Sequence, residues 1–404
     1  MRRLSIVVAL VVTLIAVSAP AEARRRIETF PVAGAATITI TGHGYGHGRG
    51  LSQYGAEGAA QQGLTWQQIV EFYYPGTTWA ELRGTIKVLI TGDTSSDVHV
   101  LAQPGLKVTR LTQRATWTLP ANGARRWRLQ PAGASTQVQF KKSIGWQTWK
   151  SFPGEAEFSS ASKRIALVKN GTTSTYRGRL RSAMPTPGSG TRDTVNLLSL
   201  EAYLKGVVPL EIPALWSQAA VSAQSVAART YAAAERSHPN AAYYDICDTS
   251  SCQVYGGYDV EHPNASVAIK ATARQGLLYD GLPAFTQFSA SSGGWTSAGS
   301  TPYLVAKEDP YDGWAGNKNA TWTLDVDDAI IEQHYPTIGD LTSIEIATRD
   351  GNGEWGGRVR AMTLFGNAGR ADISGDTLRT VLGLKSSWFT FTVTPVAPTA
   401  RRGR

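Results

Sequence analysis

The stretch that most constrains the fold is 200–236, LEAYLKGVVPLEIPALWSQAAVSAQSVAARTYAAAER. It opens on an apolar run at 204–210, interrupted by Gly206 and Pro209, which reads as a strand. Pro213 suits the first turn of a helix, where no amide donor is needed. From Ala214 to about Arg236 the alanine content predicts a long helix. Its apolar stripe falls at Leu215, Ala219, Ala223, Val226, Ala227 and Ala234. Glu211 then sits at a strand-to-helix junction between Leu210 and Ile212. Desolvation beside such neighbours raises a carboxyl's pKa and keeps it protonated near neutral pH. The alternative for Glu211 is a structural charge that favours the helix dipole.

The remainder of the 404 residues divides by composition. Residues 1–23 read as a secretory signal: Arg2 and Arg3, an apolar stretch at 4–17 too short to span a bilayer, and Ala21-Glu22-Ala23 as the cleavage site. The mature chain is expected outside the cytoplasm, with no stable transmembrane segment after cleavage. Residues 24–41 are a lead-in, mobile at first, with a short strand at 36–41. Residues 42–80 begin GHGYGHGRG, a loop of close backbone approach. Helices follow at 51–62 and 65–72, the second capped by Thr65. Residues 84–183 show short β-prone runs split by Gly, Pro, Asn and Ser, which predicts a small sandwich or barrel. Residues 190–392 hold the long helix, and 393–404 form a disordered basic tail. The fold class is therefore α+β, with a long helix against mixed sheet and a β-rich insertion.

The net charge is +9, and +8 once Arg2, Arg3 and Glu22 are removed. Export and the lack of a basic-aromatic recognition module argue against nucleic acid. Lys141, Lys142, Lys150, Lys163, Arg164 and Lys169 are either a solvated face or a contact for wall polymer. The two cysteines, Cys247 and Cys252, form a local disulfide in an oxidising compartment or, with His238 or His262, hold zinc. No other metal or cofactor is expected. Asp350, Asn352 and Glu354 lie in DGNGEWGG, a tight hairpin turn rather than a calcium loop. His43 and His47 either line a groove, binding metal or sugar or relaying protons, or hydrogen-bond to backbone in a glycine turn.

YLKGVVPLEIP followed by AVSAQSVAARTYA resembles the core motif of the stage II sporulation protein D / LytB (SpoIID/LytB) family. CQVYGG at 252–257, FSASSGGWT at 288–296, PYLVAKEDPYD at 302–312 and LRTVLGLKSSWFTF at 378–391 agree with it. The block at 42–79 resembles the family's Gly-His segment, here placed N-terminally. The resemblance implies that 190–392 is a SpoIID-like catalytic domain on which 42–80 packs. It also implies a lytic transglycosylase acting on peptidoglycan glycan strands with Glu211 as acid. Gln224, Ser225 and Arg229 are implied substrate contacts, although they lie 13 to 18 residues past Glu211, four to five turns along the helix, so not all can touch the scissile bond. The alternative is that Gln224 and Tyr231 are packed polar residues holding the helix to the sheet and Arg229 a buried structural ion. Gln253, Ser291 and Ser292 are candidates for bonds to sugar, and Lys307, Asp309 and His47 for ordering the groove. Tyr255, Trp295 and Trp314 are either stacking platforms for sugar rings or core-packing aromatics. Some family members carry a metal near the cysteines, which keeps zinc open here. Others enhance a wall amidase without catalysis, which is the alternative function.

Overall fold

The computed structural model describes residues 27–396. The expected signal segment at 1–23 and the tail beyond 396 lie outside the described residues. The helices around the site are α1 (Gln53–Gln61), α2 (Trp66–Tyr73), α3 (Leu200–Lys205), α4 (Val208–Glu211), α5 (Gln218–Ser237) and α6 (Pro263–Ala271).

The long helix is the centre of the molecule. Fourteen of α5's twenty residues are buried, on all sides rather than along one stripe. Its alanines let α1, α2, α3, α6 and the strand Gln275–Tyr279 approach closely. Two sequence expectations are corrected here. The run at 204–210 is helical, not a strand. Ser199 caps α3 by accepting from the Ala202 amide, and the buried side chains Leu200, Tyr203, Leu204, Val207 and Val208 recur at helical spacing. Pro209 sits in the first turn of α4, where it breaks nothing. Moreover, α5 starts at Gln218, four residues later than expected, and Leu215 is 80% exposed. The start is set by Glu57 on α1, whose carboxylate accepts from the Ser217 amide at 2.8 Å and its hydroxyl at 3.0 Å. It places negative charge at the N-terminus of α5, where the helix dipole favours it.

The β-rich region packs two sheets. One has six strands in the order Gln147–Pro153, Ser135–Lys141, Arg126–Ala132, Val98–Leu101, Arg164–Lys169 and Thr172–Arg177. The other has seven and is not confined to 84–183. It places Thr85–Leu89 beside Asp193–Ser199, with Val195 opposite Leu89, and adds Ile246–Cys247 at its edge. Val98, Val108, Leu129, Phe158 and Leu167 share one core with Val221 and Val226 of α5.

A second core is built from both ends of the described chain. Ala36–His43 pairs with Thr321–Asp327 and with Phe389–Pro395. Glu28–Pro31 pairs with Leu341–Arg349. Ile38, Ile40, Ile344, Leu364, Phe389 and Phe391 fill it. The lead-in is thus strand from Glu28 onward rather than mobile, and Val393 to Pro395 belong to a strand rather than a disordered tail. Residues 36–43 alternate buried and half-buried, the pattern of a strand with one face on a core.

Candidate active site

A cavity of about 520 Å³ opens where four parts of the chain meet. The Gly-His loop supplies Tyr45, Gly46 and His47, and α1 supplies Gln53. Glu211 and Tyr231 come from α4 and α5. The cysteine loop supplies Ser250, Ser251, Cys252 and Val254, and the last wall is 287–290. Glu211 is the only carboxyl among the described residues that line it.

Glu211 ends α4 and its Oε1 accepts from the Val254 amide at 3.1 Å. Burial pushes its pKa up to about 7, against the pull of that hydrogen bond. At neutral pH the carboxyl is therefore divided between its acid and base forms. It stands at the carbonyl end of α4, where a helix dipole favours cations. The helix-dipole alternative thus does not describe Glu211; Glu57 has that role for α5.

The Gly-His loop is stitched to the opposite wall. Tyr45 and Ser291 exchange amide-to-carbonyl bonds of 2.9 and 3.0 Å, and Leu51–Ser52 pairs in parallel with Phe288–Ser289. Gly46 has φ +104°, and a Cβ there would lie 2.7 Å from Ser289 Cβ; only glycine tolerates both demands. His47 Nδ1 accepts from the Arg49 amide at 3.0 Å, which leaves the proton on Nε2. Burial first, and then Arg49, Arg379 and Arg358, lower its pKa to about 4. His47 is thus a neutral donor in the cavity. His43 is not in the cavity. Its ring lies against Trp355 and Trp388 and meets Ala320 O and Glu354.

Cys247 and Cys252 are joined in a disulfide with Cα atoms 5.5 Å apart. This is the local disulfide expected from the sequence, and with both sulfurs in the bridge neither offers a thiolate. The bridge closes the short loop that carries Ser250 and Ser251 into the cavity wall. Replacing both cysteines by Ser is expected to cost about 2 kcal/mol of stability from loop entropy. Denaturant unfolding checks it.

Most of the expected substrate contacts lie elsewhere. None of Gln224, Ser225, Arg229, Gln253, Tyr255, Ser291, Ser292, Lys307 or Asp309 lines the cavity. Gln224 is wholly buried in α5, and Ser225 bonds back to Val221 O. Arg229 makes two bonds of 2.8 and 3.0 Å to Glu201 and donates to the carbonyls of Gln275 and Ile269. Gln253 ties Tyr203 to Ala228 O, and the Tyr255 hydroxyl donates to Asn196 in the core. Ser291 and Ser292 point inward to Asp312 and Asp309, at 2.6 and 2.8 Å. Tyr73 also donates to Asp309, and Ser52 to Asp312, so this buried knot fastens the N-terminal block to residues 291–312. Burial and the neighbouring Asp312 charge push the Asp309 carboxyl up. Lys307 donates to Phe72 O and lies over the Phe72 ring. Trp295 is not in the cavity wall either.

Sequence reasoning missed Gln53, Tyr231 and the serines of the disulfide loop. It also missed Tyr54 and Trp216, which join the expected stacking candidate Trp314 in one aromatic cluster. Tyr54 and Trp216 meet edge to face at 4.8 Å, and Trp314 donates to Tyr54 O at 2.9 Å. The nearness of Trp216 to Glu211 in sequence was the available signal.

Residues 188–279 match the family described as SpoIID, stage II sporulation protein. Three relatives are similar to parts of the chain. An amidase enhancer of Bacillus subtilis (strain 168) is 40% identical over 127 residues, 30% of this chain and 16% of that protein. A stage II sporulation protein D from the same organism is 53% identical over 158 residues, 32% and 44% of the respective lengths. Another, from Bacillus amyloliquefaciens, is 28% identical over 225 residues, 48% and 61% of the two chains. The chain thus spans less than two thirds of each of these relatives.

Proposed function

Because this chain carries a domain of the SpoIID/LytB family, we propose that it is an exported peptidoglycan lytic transglycosylase with Glu211 as its single acid and base. The observation that carries this reading is the lone carboxyl of the cavity, held near its balance point by burial. A glycosidase that uses water needs two carboxyl groups. A lytic transglycosylase needs one. Protonated Glu211 gives its proton to the glycosidic oxygen as the C1–O bond breaks. The resulting carboxylate then takes the proton of the muramyl C6 hydroxyl as that oxygen bonds to C1. The acid is restored, and the product is a 1,6-anhydro end with no water consumed. The His47 Nε2–H donates to a sugar oxygen and fixes the ring over Glu211, a positioning role. The SpoIID-like arrangement in this reading is the set 45–53, 211 and 250–254 around one groove.

A second reading rests on the relative named amidase enhancer. In it the chain binds wall glycan and stimulates an N-acetylmuramoyl-L-alanine amidase without cleaving anything itself. One experiment separates the two. Glycan strands with and without stem peptides are incubated with the protein, alone and with an amidase. Strand shortening by the protein alone supports the transglycosylase. Faster peptide release with strands of unchanged length replaces it with the enhancer.

A further inference from the structure

The positive charge of this chain is concentrated in one place. Residues 84–183 hold sixteen Lys and Arg against four Asp and Glu, a net +12, so the remainder of the chain sums to −3. Only five of the sixteen cations, Lys87, Arg128, Arg177, Arg179 and Arg181, have a carboxylate within 4.0 Å among the described residues. The densest group lies at one end of the six-stranded sheet. Trp127, Leu129 and Val138 face the core, so Arg126 and Lys141 point outward. They stand directly opposite each other on adjacent strands. Like charges so placed destabilise a sheet, and nothing in the fold requires them. Arg125 and Lys142 extend the group. On the next strand His99 reports its field. Burial first, then Arg126, Arg128 and Lys141, hold it down at about 4 in spite of Asp97.

The turn that leaves Lys141 reads Lys142-Ser143-Ile144-Gly145-Trp146. Ile144 is 91% exposed, more than any other large apolar side chain among the described residues. Trp146 is anchored at the base of the turn, under the Arg128 guanidinium at 4.3 Å. Cations alone would serve a soluble polyanion, which makes no use of an aliphatic tip. An anionic membrane surface uses both: headgroups attract the cations, and the interface accepts an isoleucine and an adjacent tryptophan.

We propose that this edge of the β-sandwich docks on an anionic phospholipid surface, with Arg125, Arg126, Lys141 and Lys142 at the headgroups and Ile144 entering the interface. Docking is independent of whether Glu211 cleaves glycan. It would hold the groove beside the membrane.

The test is co-sedimentation of the mature chain with vesicles of phosphatidylglycerol and phosphatidylcholine, and with phosphatidylcholine alone. Binding is expected to the mixed vesicles only and to fall with salt. The triple change R126Q/K141Q/K142Q should lower partitioning about 100-fold, at roughly fivefold per charge. Ile144→Ser alone should lower it about tenfold. All four positions lie at the surface, and unchanged near-UV circular dichroism confirms that the variants fold. No binding, or equal binding to both vesicles, overturns the proposal. So does binding that Ile144→Ser leaves unchanged while soluble polyphosphate competes it away, which would make the edge a site for a soluble polyanion instead.

Discussion

Replacing Glu211 by Gln should abolish glycan cleavage, by about 1,000-fold or more, while making the protein more stable at alkaline pH. The two effects have one cause. In the folded chain burial lifts this carboxyl from 4.5 to about 7. Below pH 4.5 the folded and unfolded states both hold the proton, and the buried group costs nothing. As pH rises from 4.5 to 7 the unfolded chain ionises and the folded one resists, so stability is lost. Above pH 7 the loss is complete, and 2.5 pK units correspond to about 3 kcal/mol. Gln carries no charge and escapes this loss. The variant should therefore unfold like the parent at pH 4 and at higher denaturant than the parent at pH 8. The parent's rate should decline above about pH 7, where the acid form is depleted. An active variant, or one equally stable to the parent at pH 8, would remove Glu211 from the role given to it.

The largest structural effect is expected at Arg229. Its side chain is wholly buried, while its partner Glu201 is 34% exposed. The guanidinium joins α5 to α3 through Glu201 and to the residues after α6 through Gln275 O. Arg229→Ala removes the fork and leaves Glu201 and two carbonyls short of donors, at a cost of about 3–5 kcal/mol. Arg229→Lys keeps the charge but cannot reproduce the paired geometry, so it should recover only part of this. Glu201→Gln should cost less than Arg229→Ala, since Glu201 can reach water. Denaturant unfolding of the three variants checks the order. A loss below about 1 kcal/mol for Arg229→Ala would contradict the placement of this ion pair at the centre of the fold.

The raised pKa of Glu211 could be anticipated from its aliphatic neighbours, although only Ile212 is buried and Leu210 is exposed. The long helix was equally legible from its alanines. Its boundary was not, since Glu57, 160 residues away, sets the start. The helical nature of 204–210 was masked by Gly206 and Pro209, although the buried positions keep a helical period. Gln224, Ser225 and Arg229 could not be divided between groove and core from the sequence for a related reason. A helix buried on all sides gives no amphipathic signal to separate a residue facing a groove from one facing core. Ser291 and Ser292 follow cavity-lining Ser289 and Ala290 but turn inward, because Asp309 and Asp312 bind their hydroxyls. Short strands such as Thr172–Arg177 were invisible, being polar at five of six positions and held by the pairing of Ile165 with Tyr176 and its neighbours. The N-terminal Gly-His block could be matched to the groove by its residues, but the contact between Tyr45 and Ser291 is a fact of topology alone.

The most direct measurement is digestion of purified glycan strands in ¹⁸O-labelled water, followed by mass analysis of the new ends. A single acid with no water-derived nucleophile predicts anhydro-muramyl ends free of the label, absent with Glu211→Gln. Reducing ends that carry ¹⁸O would mean a hydrolase with a second catalytic group and would contradict the account.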